Sequence, residues 1–106
     1  MIRFGQITRL RPEKAQEYRA MHAAAWPEVL ATITACGIEN YSIFVHDDLL
    51  FAYFEYTGRD WEAAKQRMAA DPVTQEWWRL TDPCQASVLD DDGGPWTEME
   101  EIFHHD

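Results

Sequence analysis

No run of apolar residues in this chain approaches the roughly 18 needed to cross a bilayer. The opening Met1-Ile2-Arg3-Phe4 lacks the apolar stretch of a secretory leader, so a cytoplasmic location is the expectation. Cysteine is scarce: Cys36 and Cys84 stand far apart, form no CxxC pair and match no metal-binding spacing. Two such thiols are expected to stay free in a reducing compartment. Basic residues are also few, nine against nineteen acidic ones, for a net charge of −10. Nucleic acid and anionic membrane both need a basic surface, so neither is an expected partner. No glycine-rich phosphate loop and no GxSxG elbow is present. The serines Ser42 and Ser87 have no nucleophile context, so no hydrolytic triad is indicated.

Aromatic residues, by contrast, are plentiful. Five tryptophans in 106 residues supply large contact areas at low entropy cost, for a core, an interface or a stacking platform. The length fits a single domain, residues 1–106, with a thin margin for one core. The acidic excess gathers late, at Asp90-Asp91-Asp92, Glu98, Glu100 and Glu101, and reads as a solvated loop and face.

Period-two alternation over residues 2–10 predicts a strand. Pro12 and Glu13 then suit the first turn of a helix that carries Ala15, Tyr18 and His22. Pro27 lacks an N–H and crowds the carbonyl of Ala23, so the helix must kink or restart there. A second stretch, about Glu28 to Cys36, ends at Gly37. Tyr41, Ile43 and Val45 share one face of the next strand, and Leu49, Phe51 and Tyr53 share one face of the strand after it. Asp47-Asp48 between them predicts a tight hairpin. Asp60 is placed to cap a helix from Trp61, and Asp71-Pro72 to start another through Thr81. Residues 83–96 read as a loop and 97–105 as a final strand.

The resulting order, β-α-β-β-α-β, is that of the α+β ferredoxin-like fold. It predicts a four-stranded antiparallel sheet with both helical segments on one face and the strand of Tyr41 at its centre. The bare, aromatic-rich face calls for a cover, and a homodimer is expected.

Tyr18, His22 and Trp26 recur every fourth residue and so share one helical face, just before the proline break. Histidine is the side chain whose unperturbed pKa lies nearest neutrality, which suits it to proton exchange at pH 7. Small neighbours, Ala23, Ala24 and Ala25, leave room beside it. His22 is therefore the candidate acid or base, with Tyr18 as a hydrogen-bonding neighbour. Tyr41 and the pair Trp77-Trp78 are further candidates. Adjacent helical residues point about 100° apart, so one of the two indoles packs inside while the other lines a cleft or an interface. His46, Asp47, Asp48, His104 and His105 match no ligand pattern, and no metal is expected.

Taken in order, Glu17-Tyr18 with His22, Trp26-Pro27-Glu28, Asn40-Tyr41-Ser42-Ile43, Leu49-Leu50-Phe51, Trp77-Trp78 with Thr81-Asp82, and Phe103-His104 resemble the L-rhamnose mutarotase family. The resemblance spans nearly the whole chain. It implies a dimeric α/β protein without a cofactor, which interconverts the α and β anomers of a 6-deoxy-hexose. It also implies that the position of His22 is the proton donor and that Tyr18, Tyr41, Trp77 and Trp78 contact the sugar. Ala25 and the stretch Val88 to Pro95 depart from the family's usual residues, and L-fucose stays open as the sugar. The other readings are a dimeric α/β-barrel monooxygenase or haem-handling protein, and a non-catalytic sugar-binding module.

Overall fold

A computed structural model describes residues 1–89 and 94–106. The order is β1 (Ile2–Leu10), a 3-10 turn (Pro12–Lys14), α1 (Ala15–Ala23), α2 (Pro27–Ala35), β2 (Ile38–His46), β3 (Leu49–Tyr56), α3 (Trp61–Ala70), α4 (Pro72–Thr81), a 3-10 turn (Asp82–Cys84), β4 (Gln85–Ala86) and β5 (Thr97–Met99). The strands run β2-β3-β1-β4 across the sheet, all pairs antiparallel, and β5 pairs the same strand β1 further along. This is the expected ferredoxin-like order, with the fourth strand in two short pieces.

Both helical segments restart at a proline, as the missing N–H demands. Trp26, in extended conformation, precedes Pro27 at the first turn of α2, and Asp71 precedes Pro72 at the first turn of α4. Asp60 accepts a hydrogen bond from the Ala63 N–H, and Asp71 accepts one from Thr74, which satisfies donors otherwise left over at each helix start. The Thr74 backbone N–H and then its hydroxyl hold the Asp71 carboxyl below the usual range. Gly37, with φ of 87°, closes α2 in the left-handed region that glycine tolerates best.

One face of the sheet carries the core. Phe4, Ile38, Phe54 and Tyr56 pack against Ala64, Trp61 and Met68 of α3 and Ile33 of α2. Further along, Leu10 and Leu50 pack with Tyr18 of α1 and Cys84. The alternation in β3 is strict, with Leu50, Ala52, Phe54 and Tyr56 buried and their neighbours half-buried on the opposite face.

Three expectations are corrected. The strand carrying Tyr41 is not central: β2 pairs only with β3 and forms the edge. The final strand stops at Met99, because β5 finds partners only over Gly5–Ile7 of β1; beyond it Glu101 forms an ion pair with Arg3 at 2.9 Å instead of extending the ladder. The stretch 83–96 is not all loop, since it ends a 3-10 turn and contains β4. Asp90, Asp91 and Asp92 lie outside the described residues.

Edge position gives β2 the freedom to hold a bulge. Glu39 pairs with Glu55 but Ser42 pairs with Tyr53, so Asn40 and Tyr41 together face Phe54. Asn40 has φ of 51°, a conformation asparagine tolerates better than most residues. Its Nδ2 donates to Glu55 Oε1 at 2.8 Å. Without the extra residue, period two counted from buried Ile38 would turn Tyr41 outward. With it, Tyr41 lies on the helix-bearing face, 5.3 Å from the Phe54 ring.

Candidate active site

His22 is placed by the last turn of α1. Its Nδ1 lies 2.9 Å from the carbonyl oxygen of Tyr18, one turn earlier. A carbonyl only accepts, so Nδ1 carries the hydrogen and donates it. That assignment leaves Nε2 without a hydrogen-bond partner among the described residues: a lone pair when the ring is neutral, a donor when it is protonated. Two ring contacts brace the imidazole. Tyr18 lies 4.2 Å away at 32°, and Trp77 meets the imidazole edge-on at 5.3 Å and 67°. Trp77 in turn meets Trp26 at 5.2 Å and 69°. A tyrosine, a histidine and two tryptophans thus form a continuous aromatic wall contributed by α1, α4 and the residue before Pro27.

Tyr18 is buried, with 4% of its surface exposed, and its hydroxyl accepts a hydrogen bond from Gln85 Nε2 at 2.8 Å. Burial raises its phenol far above the ordinary tyrosine value; the Gln85 bond opposes the rise, and the nearby Tyr41, Cys84 and Asp82 add to it. Tyr18 is therefore a neutral hydrogen-bonding group and not a base. Burial also raises the Tyr41 phenol. The residue as a whole is 41% exposed. Asp82, at the end of α4, has its carboxyl raised by loss of solvent.

Tyr18, His22 and Trp77 come together through ring contacts, whereas the ring contact of Tyr41 is with Phe54. Trp78 does not share this wall. It is 38% exposed against 7% for Trp77, as adjacent helical positions require. Trp26 enters the wall through Trp77, in line with its spacing from His22. Gln85 carries no sequence signal, because its partner Tyr18 lies 67 residues away.

The other histidines stand apart from the wall. His46 lies 3.5 Å from Asp47, and His104 lies 2.7 Å from Asp106. Among the described residues no three His, Cys, Asp or Glu side chains gather as a metal site. Cys36 and Cys84 are both buried and free. No helix of the described residues is long and apolar enough to cross a membrane. A separate groove of about 400 Å³ between α2 and the α3–α4 junction is lined by Thr32, Cys36, Arg67 and Asp71, and it contains none of the aromatic groups.

Comparison with known proteins is consistent along the whole chain. The L-rhamnose mutarotase family profile matches residues 3–105. An L-rhamnose mutarotase of Lactiplantibacillus plantarum is 32% identical over 108 aligned residues, covering 100% of both chains. The crystal structure of an L-rhamnose mutarotase from Formosa agariphila superposes with a TM-score of 0.80 at 22% identity, over 100% of each chain. Tetracenomycin F2 cyclase from Streptomyces glaucescens, a type-II polyketide cyclase, also superposes over 100% of each chain, with a TM-score of 0.71 at 17% identity. Those two structural likenesses establish the fold, which evidently hosts more than one chemistry. The profile match and the full-length relative decide the family: the chain belongs to the L-rhamnose mutarotase family of carbohydrate isomerases.

Proposed function

We propose that the protein exchanges the α and β anomers of L-rhamnose, with His22 as the proton donor and acceptor. The observation that carries this reading is the Nδ1 bond of His22 to the Tyr18 carbonyl, which leaves Nε2 without a partner among the described residues, on a ring in contact with Tyr18 and Trp77. Anomer exchange needs the pyranose ring opened and closed again. Nε2–H gives its proton to the ring oxygen as the C1–O bond breaks, and the anomeric hydroxyl releases its own proton to water as C1=O forms. Rotation about C1–C2 presents the other carbonyl face. Attack by the ring hydroxyl then returns its proton to Nε2, while water supplies the proton for the new anomeric hydroxyl. General acid–base help of this kind is worth about 10² to 10⁴ in rate.

The binding groups suit a neutral, partly apolar sugar. The Tyr18 and Tyr41 hydroxyls offer hydrogen bonds without charge, and Trp77 supplies a flat apolar wall for C–H faces. Trp78 stands one position along α4, on a more exposed face, where it would meet the sugar from the mouth of the site. None of these steps calls on a cofactor or metal. A cytoplasmic place of action agrees with two buried, unpaired cysteines.

The test is saturation-transfer NMR across L-rhamnose, L-fucose and D-galactose. Exchange enhanced for L-rhamnose above the other two supports the reading. Enhancement greatest for L-fucose would move the substrate to that sugar, and binding by calorimetry without exchange would leave a sugar-binding module.

A homodimer completes the proposal. The sheet face away from the helices bears Phe44, Phe51, Ile7 and Met99 on neighbouring strands, with Phe44 62% and Met99 42% exposed. Apolar surface in such a cluster is favourable to cover. Phe44→Asp is expected to shift the protein from dimer to monomer in analytical ultracentrifugation. A monomeric wild type at the same concentration would refute this arrangement.

A further inference from the structure

We infer that Gln85 is a positioning residue of the sugar site, which compels Tyr18 to act as a hydrogen-bond donor toward substrate. The inference rests on the proposed role of Tyr18 in binding sugar. Gln85 is held firmly: β4 pairs it with Leu10 of β1, and the Arg11 N–H donates to the carbonyl of its neighbour Cys84 at 2.8 Å. The residue is 6% exposed. Its Nε2 donates to the Tyr18 hydroxyl at 2.8 Å, while its Oε1 is buried without a partner among the described residues.

An amide hydrogen spent on the phenol oxygen leaves the phenol's own hydrogen free. With Gln85 already donating, that hydrogen must seek an acceptor elsewhere, and a sugar oxygen is one. Reversal of the amide would offer Oε1 to Tyr18, take up the phenol's hydrogen and end its use as a donor. A buried oxygen left unpartnered is costly, and proteins seldom retain one where an apolar side chain would serve.

The experiment compares anomer exchange in the wild type, Gln85→Leu, Tyr18→Phe and the double variant, with L-rhamnose as the probe. Gln85→Leu is expected to raise KM about tenfold, the worth of roughly one hydrogen bond, with kcat little changed. In the Tyr18→Phe background it is expected to add nothing, because both act through one phenol hydrogen. Gln85→Glu gives a readout that packing alone would not move. The protonated carboxyl can still donate to Tyr18, whereas the ionised form only accepts and draws the phenol hydrogen to itself. Its KM is therefore expected to match wild type at acid pH and to rise as the carboxyl ionises. The groups that set that pH are the Tyr18 and Tyr41 phenols, Cys84 and Asp82, with Glu17 and Lys14 beyond Cys84. Burial and the two carboxylates push it upward. A wild-type KM in Gln85→Leu, an undiminished effect in the Tyr18→Phe background, or a Gln85→Glu to wild-type KM ratio that does not change with pH would each overturn the role of Gln85 alone. Absence of exchange in the wild type would overturn the proposed activity, and this role with it.

Discussion

His22→Ala is expected to cut anomer exchange by about 10² to 10⁴, down toward the uncatalysed rate, while the far-ultraviolet circular dichroism spectrum is retained. The reasoning starts from position. His22 lies in the last turn of α1 and is only half-buried, so its removal leaves no deep cavity. The loss falls on the Nδ1 bond to Tyr18 and on two ring contacts. Chemistry loses far more, because the other candidate site groups are poor proton carriers at neutral pH. The Tyr18 and Tyr41 phenols are both raised by burial, so they stay protonated. Trp77 and Trp26 do not titrate. His22→Gln sharpens the test: its amide can still hydrogen-bond a sugar hydroxyl but cannot pass a proton, so sugar binding should survive in calorimetry while exchange is lost. Wild-type exchange in either variant would remove His22 from the mechanism.

Much of the fold was legible because its punctuation is local. The restart at Pro27, the caps at Asp60 and Asp71 and the turn at Asp47-Asp48 each depend on residues within a few positions of one another. Tyr18 and His22 were legible together for the same reason, since one helical turn brings them face to face. What escaped was set by partners far away. The edge position of β2 depends on which strands close the sheet, and nothing around Tyr41 encodes that. The alternation through 97–105 suits a strand, yet strand pairing also needs a free stretch of β1, and only three residues of it take up β5. Thr8 shows how the split fourth strand is held: fully buried, its hydroxyl lies 3.1 Å from the Ala86 carbonyl and 2.6 Å from that of Pro95, beside both pieces. The bulge at Asn40 was also beyond a period-two count, although asparagine before an aromatic in a strand is the kind of residue that permits one.

The two indoles of α4 are expected to separate cleanly under substitution. Trp77→Ala removes a residue 7% exposed that braces both His22 and Trp26, and large-to-small changes at such sites cost about 3 to 5 kcal/mol. For a domain of this size each kcal/mol is worth roughly 4 to 8 °C, so the melting temperature should fall by at least 12 °C or so in differential scanning calorimetry. Exchange should fall as well, even well below the new melting temperature, because the imidazole loses a ring that braces it. Trp77→Phe, which keeps an aromatic face at reduced volume, should recover part of both. Trp78→Ala acts on a residue 38% exposed and without a ring contact to the wall, so its melting temperature should stay within a few degrees of wild type. If Trp78 closes the mouth of the site over the sugar, its loss raises KM and leaves kcat nearly intact. Equal destabilisation by the two alanine variants would contradict the assignment of Trp77 as the inner indole. An unchanged KM in Trp78→Ala would leave Trp77 as the sole tryptophan of the pair that serves the sugar, with the exposed ring of Trp78 free for a contact between protomers.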